Sequence, residues 1–286
     1  KNGVWRKEGI NSLPANRKGI GTKWVFKEKK NGVFRARLVA KGYDQIAGID
    51  FQYNFAPVTS EVTLRILLVL WIVKDLFAEI ADVQTAFLHG DLEEEIFIKI
   101  PPGYKEFLAE TDETVEEKFL KLEKSTYGLV QAARSWWKKF TTVLKNDLGF
   151  LQFENDSCLL KRQTDVGLVY LFVYVDDCFV LGDKIAVKQA LKEIEQHFNI
   201  TRSEDIEDFI GCRIKKEGKS ILLSQPDLIK KMLKKFEEKI QNMREYETPA
   251  PAGTHIIRCK DDEPKLSDED QAEFRSGVGS LLYLLK

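Results

Sequence analysis

The sequence predicts an α+β fold in which antiparallel hairpins and amphipathic helices alternate along the chain. Runs rich in β-branched and aromatic residues are separated by short turn signals at residues 30–32, 176–177 and 217–219, as the two strands of a hairpin are. Between these hairpins, apolar side chains recur at the 3.6-residue spacing of a helix face. We therefore expect antiparallel sheets covered by helices.

The composition is typical of a soluble globular protein. The chain has 286 residues and is 43% hydrophobic, which is enough to form a substantial core in one large domain or a few subdomains. Its longest uncharged apolar runs, residues 66–73 and 168–175, are far shorter than the roughly 20 residues that span a bilayer, so no membrane segment is expected. Because the chain starts at a lysine and stops inside an apolar segment, we expect it to be a piece of a longer polypeptide.

Cysteine and charge patterns narrow the function classes. The four Cys and three His are isolated and form no C-x-x-C pair, which argues against a zinc site and favours reduced thiols in an intracellular protein. The net charge is only −1, but residues 1–50 hold 12 Lys or Arg against 4 Asp or Glu, whereas residues 91–118 hold 3 Lys against 10 acidic residues. The first block is suited to binding phosphates and the second is not.

Residues 23–41 predict the first hairpin, because Asn31-Gly32 separates two strand-like runs. An arginine on a strand can bind phosphate oxygens with two hydrogen bonds. A solvated sheet edge blunted by charge is the alternative, and this stretch alone leaves both open. The basic residues of the hairpin are Lys27, Lys29, Lys30, Arg35, Arg37 and Lys41.

Residues 60–82 predict a helix and then a strand. Ser60 can cap the helix, and the apolar residues that follow it repeat at helical spacing up to residue 74. In the strand at 77–82, Asp82 shares a face with Ala78 and Ile80. Asp82 thus ends a strand on a face of small and apolar residues.

Two strands and a helix follow. Residues 93–100 and 118–122 predict strands on either side of an acidic surface insertion at 105–118. Residues 125–146 predict a turn and a helix, in which Trp136, Phe140 and Leu144 recur every four residues and belong to the core. Gln131 and Arg134 lie at the start of this helix, where an anion can bind.

The segment LVYLFVYVDDCFVL, residues 168–181, predicts a hairpin with two adjacent aspartates at its tip. Burial of unpaired charge is costly, so Asp176 and Asp177 either lie at an exposed turn or are compensated by a cation. If Asp82 meets them in space, the three carboxylates can share divalent cations and support in-line phosphoryl transfer. Oxygen-only ligands favour magnesium over zinc.

The C-terminal third predicts a second hairpin between two helices. Residues 184–198 predict an amphipathic helix beneath the sheet, and residues 209–214 and 220–223 predict the hairpin strands. Pro226 opens a helix that we expect to reach about residue 243, with a lysine face that is either solvated or lies along a nucleic-acid backbone. Its apolar residues, expected to face inward, are Ile229, Met232, Leu233, Phe236 and Ile240.

Beyond that helix, residues 248–267 contain three prolines and predict a linker. Residues 274–285 predict the start of another folded unit.

Three motifs carry a resemblance to a known family. DVQTAFLHGDLEEEIFIKIPPGY at 82–104, KSTYGLVQAARSWW at 124–137 and YVDD at 174–177 resemble the palm motifs of the reverse transcriptase of copia-type (Ty1/copia) LTR retrotransposons. The segments KWVFKEKKNGVFRARLVAKGY, NFAPVT, DFIGCRI, LSQPDLI and FRSGVGSLLYL are similar to the same family, in the same order. The resemblance runs from about Trp24 to Leu285.

The resemblance implies a right-hand polymerase fold with an antiparallel palm sheet that carries a YVDD hairpin. It implies fingers at 1–56 and 91–132, a palm at 57–90 and 133–224 with a primer-grip hairpin at 209–224, and a thumb at 225–247. Residues 248–286 would be a linker and the start of a truncated tether to an RNase H domain.

The resemblance also implies roles for individual residues. Asp82, Asp176 and Asp177 would bind two Mg²⁺ ions, with Mn²⁺ a possible substitute, and the Val83 carbonyl could add a ligand. Phe87 would crowd a ribose 2′-OH and so select deoxynucleotides. The other nucleotide-binding residues would be Lys29 or Lys30, Arg37, Gln131 and Arg134. The primer or template contacts would be Tyr174, Phe209, Ile210, Gly211, Lys230 and Lys234.

This chain departs from the family at two positions. The family usually has a lysine and a proline where this chain has Val130 and Ala133, and loss of the lysine could weaken triphosphate binding.

The implied function is RNA-directed DNA polymerisation, a nucleotidyltransferase reaction that extends a primer on an RNA or DNA template with deoxynucleoside triphosphates. RNase H and integrase regions are expected elsewhere in a parent polyprotein, within a cytoplasmic virus-like particle. One alternative is a catalytically weak fragment that only binds nucleic acid, or a domesticated structural remnant. Another is an RNA-dependent RNA polymerase, which Phe87 disfavours because a ribonucleotide needs room for its 2′-OH.

Overall fold

The computed structural model describes residues 3–6, 10–28, 32–109, 118–206, 208–241, 253 and 265–285. The chain divides into two compact units, Lys1–Asp205 and Ile206–Lys286. The described helices are α1 (Glu61–Val73), α2 (Tyr104–Ala109), α3 (Ala132–Thr142), α4 (Lys184–Glu195), α5 (Pro226–Lys235), α6 (Glu237–Ile240) and α7 (Asp268–Tyr283). The described strands are β1 (Thr22–Glu28), β2 (Phe34–Ala40), β3 (Phe77–Val83), β4 (Asp91–Lys99), β5 (Phe119–Lys124), β6 (Leu151–Gln152), β7 (Leu159–Thr164), β8 (Gly167–Tyr174), β9 (Asp177–Gly182), β10 (Ile200–Ser203), β11 (Asp208–Phe209), β12 (Cys212–Glu217) and β13 (Ser220–Ser224).

A six-stranded antiparallel sheet organises the first unit. Its strand order is β10-β3-β9-β8-β7-β6, so β3 lies between β10 and β9 although the three strands are far apart in sequence. Two smaller antiparallel pairs, β1-β2 and β4-β5, complete the described sheets of this unit. The mixed helix and hairpin composition predicted from the sequence is confirmed.

Helices cover both faces of the six-stranded sheet. Cys178 and Val180 of β9 belong to the core cluster that includes α3 and α4. Phe179, which alternation directs to the opposite face, meets Trp71 of α1 edge-on at 6.2 Å. The central strands are therefore buried on both faces, which explains why their sequences are nearly continuous runs of apolar residues.

Helices α1 and α4 confirm the helices predicted at 60–74 and 184–198. Ser60 caps α1, since its hydroxyl accepts a hydrogen bond from the Thr63 N–H at 3.5 Å. In α4, Val187, Leu191 and Ile194 are buried along one face against the sheet. Helix α3 begins at Ala132 and continues into a π-helical turn at Val143–Asp147.

A second core lies around the β4-β5 pair. Ile96 and Ile98 of β4 and Leu120 of β5 are almost fully buried there. Ile20 is buried in this core and forms an isolated parallel β-bridge with Ile98. The segment before β1 therefore pairs with β4 at this position. The acidic insertion expected at 105–118 holds the short helix α2, and its residues 110–117 lie outside the described residues.

In the second unit, two predictions were wrong. The expected single strand at 209–214 is split into β11 and β12 by a turn at Ile210-Gly211, where φ is +53° and +73°. The expected helix from Pro226 to about residue 243 is interrupted at Phe236, whose backbone leaves the helical region between α5 and α6. None of the described residues of α5 is buried, because the described part of this unit offers only a small sheet and α7 as a packing surface.

The apolar residues expected to face inward on that helix do not form a buried stripe. Ile229, Leu233 and Ile240 are exposed, and Met232 and Phe236 are only half-buried. The hairpin predicted around residues 217–219 is confirmed as β12-β13, with Glu217 opposite Ser220. Residues 274–285 fall largely in α7, whose Tyr283 hydroxyl donates to the Ile210 carbonyl at 3.3 Å.

Candidate active site

Three aspartates lie together at one end of the six-stranded sheet. In the antiparallel pairing of β3 with β9, Asp82 is directly opposite Asp177. Asp176 occupies the turn between β8 and β9, and its carbonyl oxygen accepts a hydrogen bond from the Val83 N–H at 2.8 Å. The turn is therefore tied to the end of β3, and the carboxylates of residues 94 positions apart become neighbours.

The three carboxylates repel one another. Burial raises the pKa of Asp177 to about 6, and the charges of Asp176 and Asp82 add to the rise. Burial and the charge of Asp82 also raise the pKa of Asp176, against the opposing effects of its own backbone hydrogen bond and of Arg35 and Arg37. Like charges directly opposite each other destabilise a sheet, so packing alone gives no reason for this arrangement. Perturbed carboxyl groups of this kind cluster at functional sites.

The donor chemistry of the site fits a hard divalent cation. Carboxylate oxygens are the ligands that Mg²⁺ prefers, and the mutual repulsion would be relieved by positive charge. In the described part of the chain, no group of three or more His, Cys, Asp or Glu side chains is arranged to hold a metal ion. The aspartates thus offer oxygen ligands of the kind that Mg²⁺ prefers, but the described structure does not arrange all three of them as a metal-binding group.

Arg37, whose charge acts on Asp176, lies against the first of two aromatic rings that are in contact with each other. The Arg37 guanidinium lies over the Tyr127 ring, 5.3 Å from its centroid, and Tyr127 meets the Phe87 ring edge-on at 5.1 Å. The Nε of Arg37 is buried and has no hydrogen-bond partner among the described residues. The Nε–H of Arg37 is therefore a hydrogen-bond donor without an acceptor among the described residues. The positive charge of Arg37 lowers the pKa of Asp176. The sequence analysis missed Tyr127, because no local pattern distinguishes this ring from other core aromatics.

Comparison with known proteins identifies the family. The family model described as "Reverse transcriptase (RNA-dependent DNA polymerase)" matches residues 2–251. The chain belongs to the reverse transcriptase family. This result confirms the resemblance that the motifs indicated.

The relatives of this chain include retrotransposon polyproteins. The Pol polyprotein from transposon TNT 1-94 of Nicotiana tabacum is 33% identical over 100% of this chain and 21% of its own length. The Pol polyprotein from transposon RE2 of Arabidopsis thaliana is 32% identical over 93% of this chain and 18% of its own length. The Ty1-BR Gag-Pol polyprotein of Saccharomyces cerevisiae is 24% identical over 83% of this chain and 13% of its own length. The chain therefore spans about a fifth or less of the length of these relatives.

Gln131 and Arg134 lie at the start of α3, and the Gln131 side chain is buried. Gln131 is 2% exposed, and its side-chain amide donates to the Asp50 carbonyl at 2.8 Å and accepts from Gln45 at 3.0 Å. Arg134 donates to the Phe55 carbonyl at 3.0 Å. Both line a cavity of about 250 Å³ that also carries the carboxylates of Asp91, Glu93 and Glu94. Protein groups thus occupy the Gln131 amide. The three carboxylates of the cavity are balanced by Arg134, Lys138 and Lys139, of which Lys138 pairs with Glu93 and Lys139 with Asp91.

The remaining predicted contacts are distributed over both units. Tyr174 ends β8 opposite Asp177. Lys29 and Lys30 lie outside the described residues. In the second unit, Phe209 is buried, Ile210 and Gly211 form the left-handed turn, and the lysines of α5 are exposed. Those lysines include the predicted contacts Lys230 and Lys234. Within the described residues, no helix is long and apolar enough to cross a membrane.

Proposed function

We propose that this chain is an RNA-directed DNA polymerase domain that extends a primer on an RNA or DNA template. The observation that carries the proposal is the placement of Asp82, Asp176 and Asp177 at the junction of β3 and the β8-β9 turn, in a chain that belongs to the reverse transcriptase family. Three mutually repelling carboxylates at a strand end are suited to hold cations at a phosphoryl-transfer site.

In this proposal, Asp82, Asp176 and Asp177 would hold two Mg²⁺ ions, for which Mn²⁺ could substitute, and the Val83 carbonyl would offer a further oxygen. When bound there, the ions would supply positive charge against the negative charge that develops on a transferring phosphate. The chain itself contributes the positions of these oxygens, because β3 and the turn are joined through the Val83 N–H bond to Asp176.

Arg37 is the nucleotide contact that the structure supports best. Its buried Nε has no described partner, its charge acts on Asp176, and its guanidinium lies over Tyr127. A triphosphate at the aspartates would supply the missing acceptor. We further propose that Phe87, in edge contact with Tyr127, limits the space beside the ribose and so favours deoxynucleotides. Lys29 or Lys30, Gln131 and Arg134 remain predicted nucleotide contacts.

The domain assignment follows the family. We propose fingers at 1–56 and 91–132, a palm at 57–90 and 133–224, and a thumb at 225–247. The primer grip would include Phe209, Ile210 and Gly211, Tyr174 would contact the primer terminus, and Lys230 and Lys234 would face the nucleic-acid backbone. The parent polyprotein would supply RNase H and integrase regions in a virus-like particle.

Primer extension tests the proposal. The protein is incubated with an RNA template, a DNA primer, deoxynucleotides and Mg²⁺, beside an Asp176→Asn variant. We expect extension by the parent and none by the variant, with circular dichroism spectra that coincide. Extension by Asp176→Asn would refute the assignment of the site. If neither protein extends the primer but both bind primer-template at low salt, the chain is a nucleic-acid-binding fragment instead.

A further inference from the structure

The turn that carries Asp176 has an unfavourable backbone conformation. Val175, which precedes Asp176, has φ of +58°. A β-branched residue is rare in this left-handed region, because its Cβ crowds the neighbouring backbone. Such a conformation costs on the order of 1 to 3 kcal/mol and persists only where surrounding contacts impose it.

Two hydrogen bonds hold this turn from opposite sides. The indole Nε1–H of Trp136 donates to the Val175 carbonyl at 2.6 Å. The Val83 N–H donates to the next carbonyl, that of Asp176, at 2.8 Å. The two peptide groups that flank the Asp176 side chain are therefore both fixed, one by α3 and the other by β3.

Trp136 is itself held rigidly. Its side chain is 1% exposed, it stacks on Phe140 at 4.9 Å, and it meets Phe198 edge-on at 5.3 Å. His89 lies against the same ring at 6.0 Å. The indole ring is thus held in the core by Phe140 of α3, by Phe198 after α4 and by His89 of the turn after β3.

We propose that Trp136 is a positioning residue for the Asp176 carboxylate. Its indole N–H offsets the backbone strain at Val175 and keeps Asp176 in the place where it can bind a divalent cation together with Asp82. This inference rests on the proposed function and deepens it. A misplacement of about 1 Å at a reacting centre can cost about a hundredfold in rate, so a single buried donor can matter for the chemistry.

The neighbouring residue provides a matched control. Trp137 carries a buried Nε1 with no hydrogen-bond partner among the described residues. Trp136→Phe and Trp137→Phe remove the same N–H from adjacent positions of one helix, but only the first breaks a bond to the turn. Binding of Mn²⁺ to each protein is measured by electron paramagnetic resonance, and primer extension supplies kcat and KM.

We expect Trp136→Phe to bind Mn²⁺ about tenfold more weakly and to lower kcat, with the KM for primer-template unchanged, whereas Trp137→Phe stays near the parent. Adding Val175→Gly to Trp136→Phe should restore part of the Mn²⁺ affinity, because glycine adopts a positive φ at little cost. If Trp136→Phe only lowers the unfolding midpoint and leaves Mn²⁺ affinity and kcat unchanged, Trp136 is a core residue and the inference is wrong.

A measurement on the parent protein covers the case in which Trp136→Phe does not fold. Binding free energies are reciprocal, so a bond that favours cation binding must itself be strengthened by the cation. Indole N–H exchange, followed by NMR on protein labelled at tryptophan, should slow at Trp136 when Mg²⁺ is added and stay constant at Trp137. Equal exchange at Trp136 with and without Mg²⁺ would overturn the inference. If the parent binds no Mn²⁺ at all, it is the proposed function that fails.

Discussion

Neutralising Asp176 should stabilise the metal-free protein while abolishing its activity. Asp176→Asn removes one of three negative charges that the fold brings together. The pKa of Asp177 is about 6, against an ordinary value of 3.8, and a difference of that size corresponds to roughly 3 kcal/mol at neutral pH. Burial is the larger cause and Asp176 is the next. Because the site is partly open to solvent, which screens the charges, we assign about 1 kcal/mol to the repulsion by Asp176.

Asp176 makes a second contribution of the same sign. Its own pKa is raised, mainly by burial, and this outweighs the attraction of Arg35 and Arg37. A carboxyl whose pKa is raised by folding is less stable ionised in the folded state than in the unfolded state, so its charge lowers the free energy of unfolding at neutral pH. Asparagine removes that penalty at nearly the same volume.

Urea denaturation at pH 7 in EDTA measures the effect. All five tryptophans lie before residue 205, so tryptophan fluorescence reports on the first unit alone. We expect the variant to unfold at higher urea than the parent in EDTA. In Mg²⁺ the parent should unfold at the same urea concentration as the variant or at a higher one, because a bound cation stabilises only the protein that holds it. A variant less stable than the parent in EDTA would contradict the electrostatic argument.

Another aspartate of the same hairpin serves as the control. The Asp183 carboxylate accepts a hydrogen bond from the Leu168 N–H at 2.7 Å, at the end of the hairpin remote from the turn. Asp183→Ala leaves that donor without its partner and should lower the free energy of unfolding by about 1 kcal/mol in EDTA and in Mg²⁺ alike. Its primer extension, corrected for folded protein, should match the parent.

Three further predictions concern residues of β3, of the turn after β3 and of β9. Burial alone raises the pKa of Glu79, but hydrogen bonds from Arg202 and Lys188 outweigh it and leave that pKa below its ordinary value. The ionised Glu79 carboxylate therefore stabilises the folded state above pH 4.5, and this stabilisation is lost as the pH falls further. Glu79→Gln should cost about 3 kcal/mol at pH 7 and less at pH 3 in urea titrations, and a cost that does not depend on pH would contradict this. Phe87→Ala should raise ribonucleotide incorporation relative to deoxynucleotide incorporation at least about tenfold in single-nucleotide extension, and an unchanged ratio would remove Phe87 from selection. A Cβ at Gly182 would lie 2.1 Å from the Leu168 carbonyl oxygen, so Gly182→Ala should lower the free energy of unfolding by about 1 to 3 kcal/mol, whereas a neutral result would mean that β8 and β9 can separate at little cost.

Local patterns predicted the helices and strands that build the site. Helix α1 was predicted from Ser60 and the apolar spacing after it, and β3 from alternation up to Asp82. These elements form as predicted because the same residues that favour the local conformation also bury against the sheet. The motifs that surround Asp82 and the Asp176-Asp177 pair were sufficient to indicate the reverse transcriptase family.

Local patterns failed where long-range contacts override them. Ile210 adopts a positive φ that its own type disfavours, and the turn there is in contact with Tyr283 of α7. The apolar residues of α5 repeat at helical spacing, yet none of them is buried, because the described part of that unit supplies little surface to cover them. Periodicity shows that a helix has an apolar face, but it does not show what that face meets.

The sequence by itself determined the family and most of the elements that carry the three aspartates. Only the tertiary structure decided that Asp82 and Asp177 face each other across two strands, that Arg37 keeps a buried donor near them, and that Trp136 reaches the Val175 carbonyl. The reason is physical. Propensity and periodicity depend on neighbours along the chain, whereas the pKa of a carboxyl and the partner of a buried N–H depend on residues that folding brings close from far away in the sequence.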